Sequence, residues 1–402
     1  MQRLIIVTTT ILIFCSIYPP QVLLPFFAER YAITESQAAL LTATSMIPLG
    51  IAPLSYGYIL ESMSAVKLLK WSILGLAVSQ LAFVLAEMLT DSFALLIIIR
   101  FGQGLLLPAA MTSLMTYLSG ASEGKQLQRS MSIYVAATIV GGYAGRLLTG
   151  IAAEYVGWRW YYFALTTLLV GNFVALGWLK KEMAVKAGRP SPRIILDALR
   201  GGEYLKIYGV IFCVFFVFSS FLNYLPFRLT ALWGHPSEST IGFMYSGYLV
   251  GVIISLISPR LVTMFGSAIN AILAGLITFV LVLLVTMTSS TGLLFSVLLL
   301  FCGSMFLVHS VAVGLVNRLA TENKGVINGL YIAFYYSGGV LGSYLPGLIY
   351  ERFGWSIFIL TLFAVAATGL IIALTYKFRE GKQVSPWQTT ASTAHHQKTL
   401  DG

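Results

Sequence analysis

Two arginines stand in runs of sequence that offer a charge almost no water. Arg100 lies in FALLIIIRFGQGLLLPAAM and Arg146 in YVAATIVGGYAGRLLTGIAA. A charge inside such a run is expensive, so it faces protein or a water-filled cavity and marks a functional candidate. Two roles are open. Each guanidinium could donate to backbone carbonyls freed by nearby Gly and Pro, or the pair could form a positive lining that meets a ligand or modulates a proton step. No Asp or Glu lies mid-run to neutralise them. Gln21 falls at a similar depth, Gln103 is one turn from Arg100, and Asn223 adds a third amide. His309 is the only histidine inside an apolar run. Imidazole changes charge near neutral pH, so it could carry a proton or simply pack as a neutral ring. Glu61, at the edge of a run, is the other candidate proton carrier.

Little else suggests chemistry. Cys15, Cys213 and Cys302 all lie in apolar runs without metal-ligand spacing. His395 and His396 sit in a polar tail. Gly120 to Gly124 spells G-x-S-x-G, but that motif needs a strand before it and a helix after it. Neither a cofactor, a metal nor an enzyme activity is expected.

The surroundings are those of lipid. Of 402 residues, 57% are hydrophobic and 10% charged, against about 25% charged in soluble domains. Twelve apolar segments, at about 4–27, 37–58, 71–89, 92–118, 130–153, 160–179, 207–229, 241–258, 268–287, 292–316, 326–350 and 355–376, are each suited to cross a bilayer as a helix. The net charge of +10 follows from topology. With the N-terminus inside, only Arg30, Arg159, Arg228 and Arg352 of the 25 basic residues fall outside, and only Arg100 and Arg146 within spans. This asymmetry puts both termini in the cytoplasm and needs no nucleic-acid partner. On this topology Arg100 and Arg146 each lie roughly 10–12 Å below the outer surface, on consecutive antiparallel helices.

One pattern occurs twice. Residues 141–158 read GGYAGRLLTGIAAEYVGW and residues 338–355 read GGVLGSYLPGLIYERFGW. The spacing predicts two like halves, 1–179 and 207–376, joined by a basic cytoplasmic linker at 180–206 with a short amphipathic helix near 193–200. A polar tail at 377–402 is expected to be disordered. Gly141, Gly142, Gly145, Gly338, Gly339 and Gly342 offer flat helix faces for close packing or for sliding. Prolines 19, 20, 25, 108, 226 and 346 interrupt spans, which lipid tolerates only where protein or a cavity re-satisfies the backbone. Aromatics crowd the seventh and eleventh spans. Tyr224, Tyr331 and Tyr335 among them either pack or line an apolar pocket.

Several motifs carry a family resemblance. Tyr18 to Pro25, YPPQVLLP, resembles a helix-one signature. Arg100-Phe101-Gly102-Gln103-Gly104 resembles a helix-four motif, and Gly141 to Gly150 an antiporter motif, with Arg146 where many members carry proline. Gly157-Trp158-Arg159 matches the usual end of that segment. On these residues the chain resembles the major facilitator superfamily over about residues 4–380, and within it the bacterial drug and arabinose-efflux-like proton antiporters. The resemblance implies an all-α membrane protein with twelve transmembrane helices in two six-helix pseudo-symmetric halves. It also implies a proton-coupled exporter working by alternating access in the bacterial inner membrane, and assigns the helix-four arginine to proton coupling. A monomer is expected, with a small-molecule substrate, protons and the lipid bilayer as partners. The site is expected between the halves, near Gln21, Arg100, Gln103, Arg146 and Asn223, with Tyr224, Tyr331 and Tyr335.

The chain also departs from the family pattern. The loop after span two keeps Gly57, but Glu61 replaces an Asp, Ser64 replaces a Gly, and the basic residues shrink to Lys67 and Lys70. The equivalent loop at Pro259–Gly266 has no acid. Both changes weaken the charge pairs of a cytoplasmic gate. Span one lacks the acid found in cationic-drug exporters. Two arginines without acids lean toward an anionic or zwitterionic substrate such as a carboxylate metabolite or siderophore, while the resemblance pulls toward hydrophobic drugs. A non-transporting sensor would need a folded soluble domain, which neither 180–206 nor the tail resembles.

Overall fold

A computed structural model describes residues 2–51, 63–121, 124–179, 192–200, 202–320 and 324–383. Gly57 and Glu61 lie outside these residues. No strand occurs among the described residues. The transmembrane helices are α1 (Gln2–Gln21), α2 (Glu35–Ile51), α3 (Ala65–Leu89), α4 (Phe93–Ala121), α5 (Gly124–Tyr155) and α6 (Trp158–Trp178). After the short helix Pro192–Arg200 come α7 (Gly202–Trp233), α8 (Glu238–Met264), α9 (Ala268–Val285) and α10 (Thr291–Leu319). A final helical run, Lys324–Gln383, breaks at Gly354 into α11 (324–353) and α12 (355–383).

Ten segments are long and apolar enough to cross a membrane. The last of them holds both α11 and α12, and α2, at 17 residues, falls just short of that length. The described residues therefore hold twelve membrane-spanning helices. Two boundaries differ from expectation. α7 starts five residues before 207, and α12 continues to Gln383, so the first residues expected in a disordered tail are helical. Large apolar side chains such as Val78, Leu85, Ile253 and Leu281 are exposed on the outer helix faces, as a lipid solvent permits.

The repeated pattern has a direct structural meaning. A Cβ on Gly141 would lie 2.6 Å from the Ile11 carbonyl of α1, and one on Gly145 3.0 Å from Cys15 Cα. Their counterparts Gly338 and Gly342 press on the Phe212 and Phe216 carbonyls of α7. So α5 packs on α1 as α11 packs on α7. These glycines join helices inside each half, which favours packing over sliding. Gly142 faces Tyr18 and Arg146, and only Gly339 of the set reaches across, to Met46 of α2. The halves themselves meet where α2 lies against α11 and α5 against α8. At the outer rim of the first half, Arg159 holds the buried Glu87 through two bonds of 2.7 and 2.9 Å, and Arg30 holds Asp91 at 2.7 Å.

The repeat also fixes where each helix pair turns. Gly157 (φ 95°, ψ 133°) and Gly354 (φ 74°, ψ −175°) occupy a backbone region open almost only to glycine. Each is followed by a buried tryptophan, Trp158 and Trp355. Nothing lies within 4 Å of a Cβ placed on either glycine. The cost of substitution is therefore conformational, not steric. Gly157→Ala and Gly354→Ala should each destabilise the detergent-purified protein by about 1–3 kcal/mol. Gly171→Ala, on an open face of helical α6, should be neutral or stabilise by up to about 1 kcal/mol. Thermal unfolding of the three variants checks this, and equal melting temperatures would refute it.

Candidate functional site

The polar centre is built around a break in α1. Pro19 and Pro20 have no N–H, so the carbonyls one turn earlier, on Cys15 and Ser16, lose their helical donors. The tight turn that follows bonds Gln21 N to the Tyr18 carbonyl at 3.0 Å, leaving the Ile17 carbonyl open as well. In lipid each orphan needs another partner. Tyr161 donates its hydroxyl to the Cys15 carbonyl at 2.8 Å. Arg100 supplies the rest. Its Nη1 donates to the Ser16 carbonyl (3.1 Å) and to Gln103 Oε1 (2.6 Å). Its Nη2 donates to the Ile17 carbonyl (2.5 Å) and Ser45 Oγ (2.9 Å), and its Nε to the Leu41 carbonyl of α2 (2.8 Å). A guanidinium has five N–H donors, and all five are taken. Gln103 passes the network on to the Ser79 carbonyl of α3 at 3.1 Å. Arg100 thus clamps α1, α2 and α4 and has no donor left for a ligand.

Arg146 is different. It is as deeply buried as Arg100, yet it donates three bonds: Nε to Gln21 Oε1 (2.6 Å), Nη1 to its own helix at the Gly142 carbonyl (2.6 Å), and Nη2 to Tyr248 Oη (3.0 Å). Its charge lies over three aromatic rings, at 4.1 Å from Tyr18, 4.5 Å from Tyr248 and 5.0 Å from Tyr245. Among the described residues neither arginine has an ion-pair partner. The π faces of three tyrosines partly compensate the Arg146 charge. Tyr245 and Tyr248 belong to α8, in the opposite half, so this contact spans the boundary.

A second bond crosses beside it. Gln21 Nε2 donates to Asn223 Oδ1 of α7 at 2.6 Å. Asn223 is fully buried, and its Nδ2 has no partner among the described residues. The centre therefore runs Arg146–Gln21–Asn223, with two guanidinium N–H groups and a carboxamide NH₂ in excess of its protein acceptors. It is rich in donors and free of acid. The repeat position equivalent to Arg146 holds Ser343, which bonds Ser219 of α7 at 2.8 Å. The charge sits on one side only.

The other expected site residues separate from this centre. Tyr224 follows Asn223 in sequence, but its ring packs against Tyr350 and Phe358, and its hydroxyl reaches the Ser343 carbonyl at 3.4 Å. It therefore belongs to the packing of α7 on α11 and α12. Tyr331 and Tyr335 gather with His309 instead. Tyr331 Oη lies 3.0 Å from His309 Nδ1, and the Tyr335 ring is 4.8 Å from the imidazole and stacks on Phe215 at 3.7 Å. His309 and Tyr335 are half-buried. Tyr335 also meets Tyr336 edge-on at 5.0 Å. Tyr18, Tyr245 and Tyr248 were not singled out from sequence as site residues. Tyr18 entered there only as the start of the helix-one signature, and which tyrosines of α8 face a charge depends on how the halves pack.

Comparison with known proteins agrees with this architecture. The Major Facilitator Superfamily profile matches residues 6–303 and 234–394. The inner membrane transport protein YnfM of Escherichia coli is 25% identical over 388 residues, covering 90% of this chain and 86% of its own. The multidrug efflux protein YfmO of Bacillus subtilis is 22% identical, covering 82% of each chain. Among solved structures, a bacterial homolog of the human lysosomal transporter Spinster, in an inward-facing and occupied conformation, superposes with a TM-score of 0.75 at 13% identity, covering 94% of this chain and 96% of its own. Twelve helices in two glycine-matched halves, a polar centre at their boundary and a profile match along nearly the whole length lead to one conclusion: the chain is a member of the major facilitator superfamily of membrane transporters.

Proposed function

We propose that this transporter exports a small organic anion or zwitterion across the bacterial inner membrane by alternating access, driven by protons entering in exchange. The observation that carries the reading is the donor-rich, acid-free centre at Arg146, Gln21 and Asn223. A carboxylate could use the spare Arg146 and Asn223 donors together, and charge-assisted bonds in a dry site are the strong ones. Arg100 holds the scaffold and is not a contact. The His309–Tyr331 pair, half-buried in the opposite half, is the proposed proton site. Glu61 lies outside the described residues and stays a second candidate. The working form is proposed to be a monomer with both termini in the cytoplasm.

A second reading is efflux of hydrophobic drugs. It is favoured by the aromatic wall of Phe215, Tyr335, Tyr336 and Phe218 and by the likeness to a multidrug efflux protein.

Thermal stability of the purified protein against a panel of organic anions and lipophilic cations separates the two. A ligand at about 100 times its Kd adds about 2.7 kcal/mol to stability. Stabilisation by anions is expected, with the increment lost in Arg146→Gln. Stabilisation by lipophilic cations, untouched by Arg146→Gln, would replace this reading with drug efflux. Arg100→Gln removes a five-bond network and leaves the Ile17 carbonyl without a donor. It should lower the melting temperature of the unliganded protein, by about 3–5 kcal/mol in stability, far more than Arg146→Gln does. Equal losses in the two variants would contradict the division of roles. In proteoliposomes, His309→Gln should retain the ligand-induced stabilisation while flux loses its response to an imposed pH gradient. Wild-type flux that ignores the gradient would rule out proton coupling.

A further inference from the structure

Beyond the central site, the repeat carries a second pair of matched residues at the outer boundary. One turn after Gly150 comes Glu154, and one turn after the equivalent Gly347 comes Glu351. Each glutamate reaches into the opposite half. Glu351 Oε1, on α11, accepts the backbone N–H of Ser36 in the first turn of α2 at 2.7 Å. Glu154, on α5, lies beside Ser237 and Ser239 at the start of α8, where Gly150 brings the two helices into contact. The receiving ends match as well. α2 starts Thr34-Glu35-Ser36 and α8 starts Ser237-Glu238-Ser239, with Thr34 and Ser237 capping the third residue beyond.

The glycines explain why the reach is possible. Gly150 lies directly against the Glu238 carbonyl, and a Cβ on Gly347 would sit 2.9 Å from Ser36 Cβ. Either side chain would hold the opposite helix away from its glutamate. The unpaired N–H groups of a helix start favour an anion. The Glu351 bond and the Glu154 contact each join a residue of one half to a helix start of the other, so they exist only while the outer side is closed. An interaction made in one state and not the other is what biases a conformational equilibrium.

We infer that Glu154 and Glu351 form a two-fold-related outer latch, in which each half caps a helix of the other and so holds the transporter closed to the exterior. This rests on the alternating-access reading above but not on any substrate. The latch lies at the outer end of the α5–α8 and α2–α11 contacts, a little over two turns beyond the Arg146 centre on α5. Closing the exterior and enclosing the centre are then one movement.

Pulsed spin-label distances test it without a ligand. Labels at Val156→Cys and Ser289→Cys, both exposed at the outer rim of opposite halves, are attached to the full chain after replacing Cys15, Cys213 and Cys302 by Ser. The wild-type background should show mainly a short distance. E154A/E351A should raise the ratio of long to short distance by roughly tenfold or more, each single variant by less, and E154Q/E351Q, which keeps size and an acceptor but removes the charge, by an intermediate amount. Gly150→Val is expected to open the rim by contact alone. If Gly150→Val lengthens the distance and the glutamate variants do not, the halves alternate but the glutamates do not hold them, and the latch is wrong while the transport reading stands. A distribution that none of these variants moves overturns the latch and counts against alternating access too.

Discussion

The structure depends on a constraint that lipid imposes on α1: no backbone carbonyl can be left without a donor. Two consecutive prolines create orphans at Cys15 and Ser16, and the turn after them adds Ile17. Water would satisfy these groups in a soluble protein. Here Tyr161 serves Cys15, and Arg100 reaches from α4 and spends every donor it has on Ser16, Ile17, α2 and Gln103. The break in α1 and the buried arginine therefore require each other. The break without Arg100 would strand carbonyls, and Arg100 without the break would be a buried charge with nothing to bond. The bend so fixed also aims Tyr18 and Gln21 toward α5, where they hold Arg146. The scaffold of the first arginine positions the spare donors of the second.

The internal repeat shows which parts of the molecule are architecture. Apart from Glu154 and Glu351, what matches between the halves is packing or a turn: glycines seating α5 on α1 and α11 on α7, left-handed glycines between paired helices, a buried tryptophan after each. Where the match fails, the halves differ in chemistry. Arg146 is matched by Ser343, and the serine bonds Ser219 within its own half. An asymmetric charge at a symmetric boundary gives a bound ligand a defined orientation, which a symmetric pair would not.

Much of this was legible in sequence because lipid leaves strong marks. Long apolar runs, the distribution of Lys and Arg, and a glycine pattern repeated at half the chain length fixed the helices and the family resemblance. Arg100 and Arg146 stood out for the same reason. What could not be read was which of the two was saturated. Both occupy similar runs at similar depth, and the answer lies in the number of orphan carbonyls within reach, a property of α1 and α2. Tyr224 shows the limit on the other side. One residue from Asn223, it turns about 100° around the helix and joins a different cluster. Its neighbour's role said nothing about its own. The tyrosines around Arg146 went unmarked because Tyr245 and Tyr248 meet it only across the boundary.

That boundary differs in kind from the interior of either half. Inside a half, glycines and aromatics interlock closely, and separating them would open voids that cost several kcal/mol each. Between the halves, the described polar links are few: Arg146 to Tyr248, Gln21 to Asn223, and Glu351 to Ser36. A hydrogen bond is worth about 0.5–1.5 kcal/mol net, or about 1.5–3 when one partner is charged. Their sum is of the same order as the roughly 5.5 kcal/mol that carries a two-state equilibrium from one side to the other. A boundary much stronger would lock the molecule, and one much weaker would leak. The Arg146–Tyr248 link also shares its guanidinium with the proposed ligand. A carboxylate arriving there would compete with the tyrosine for the same donors, so occupancy of the centre and strength of the boundary cannot vary independently. That dependence is what a carrier needs and a channel does not.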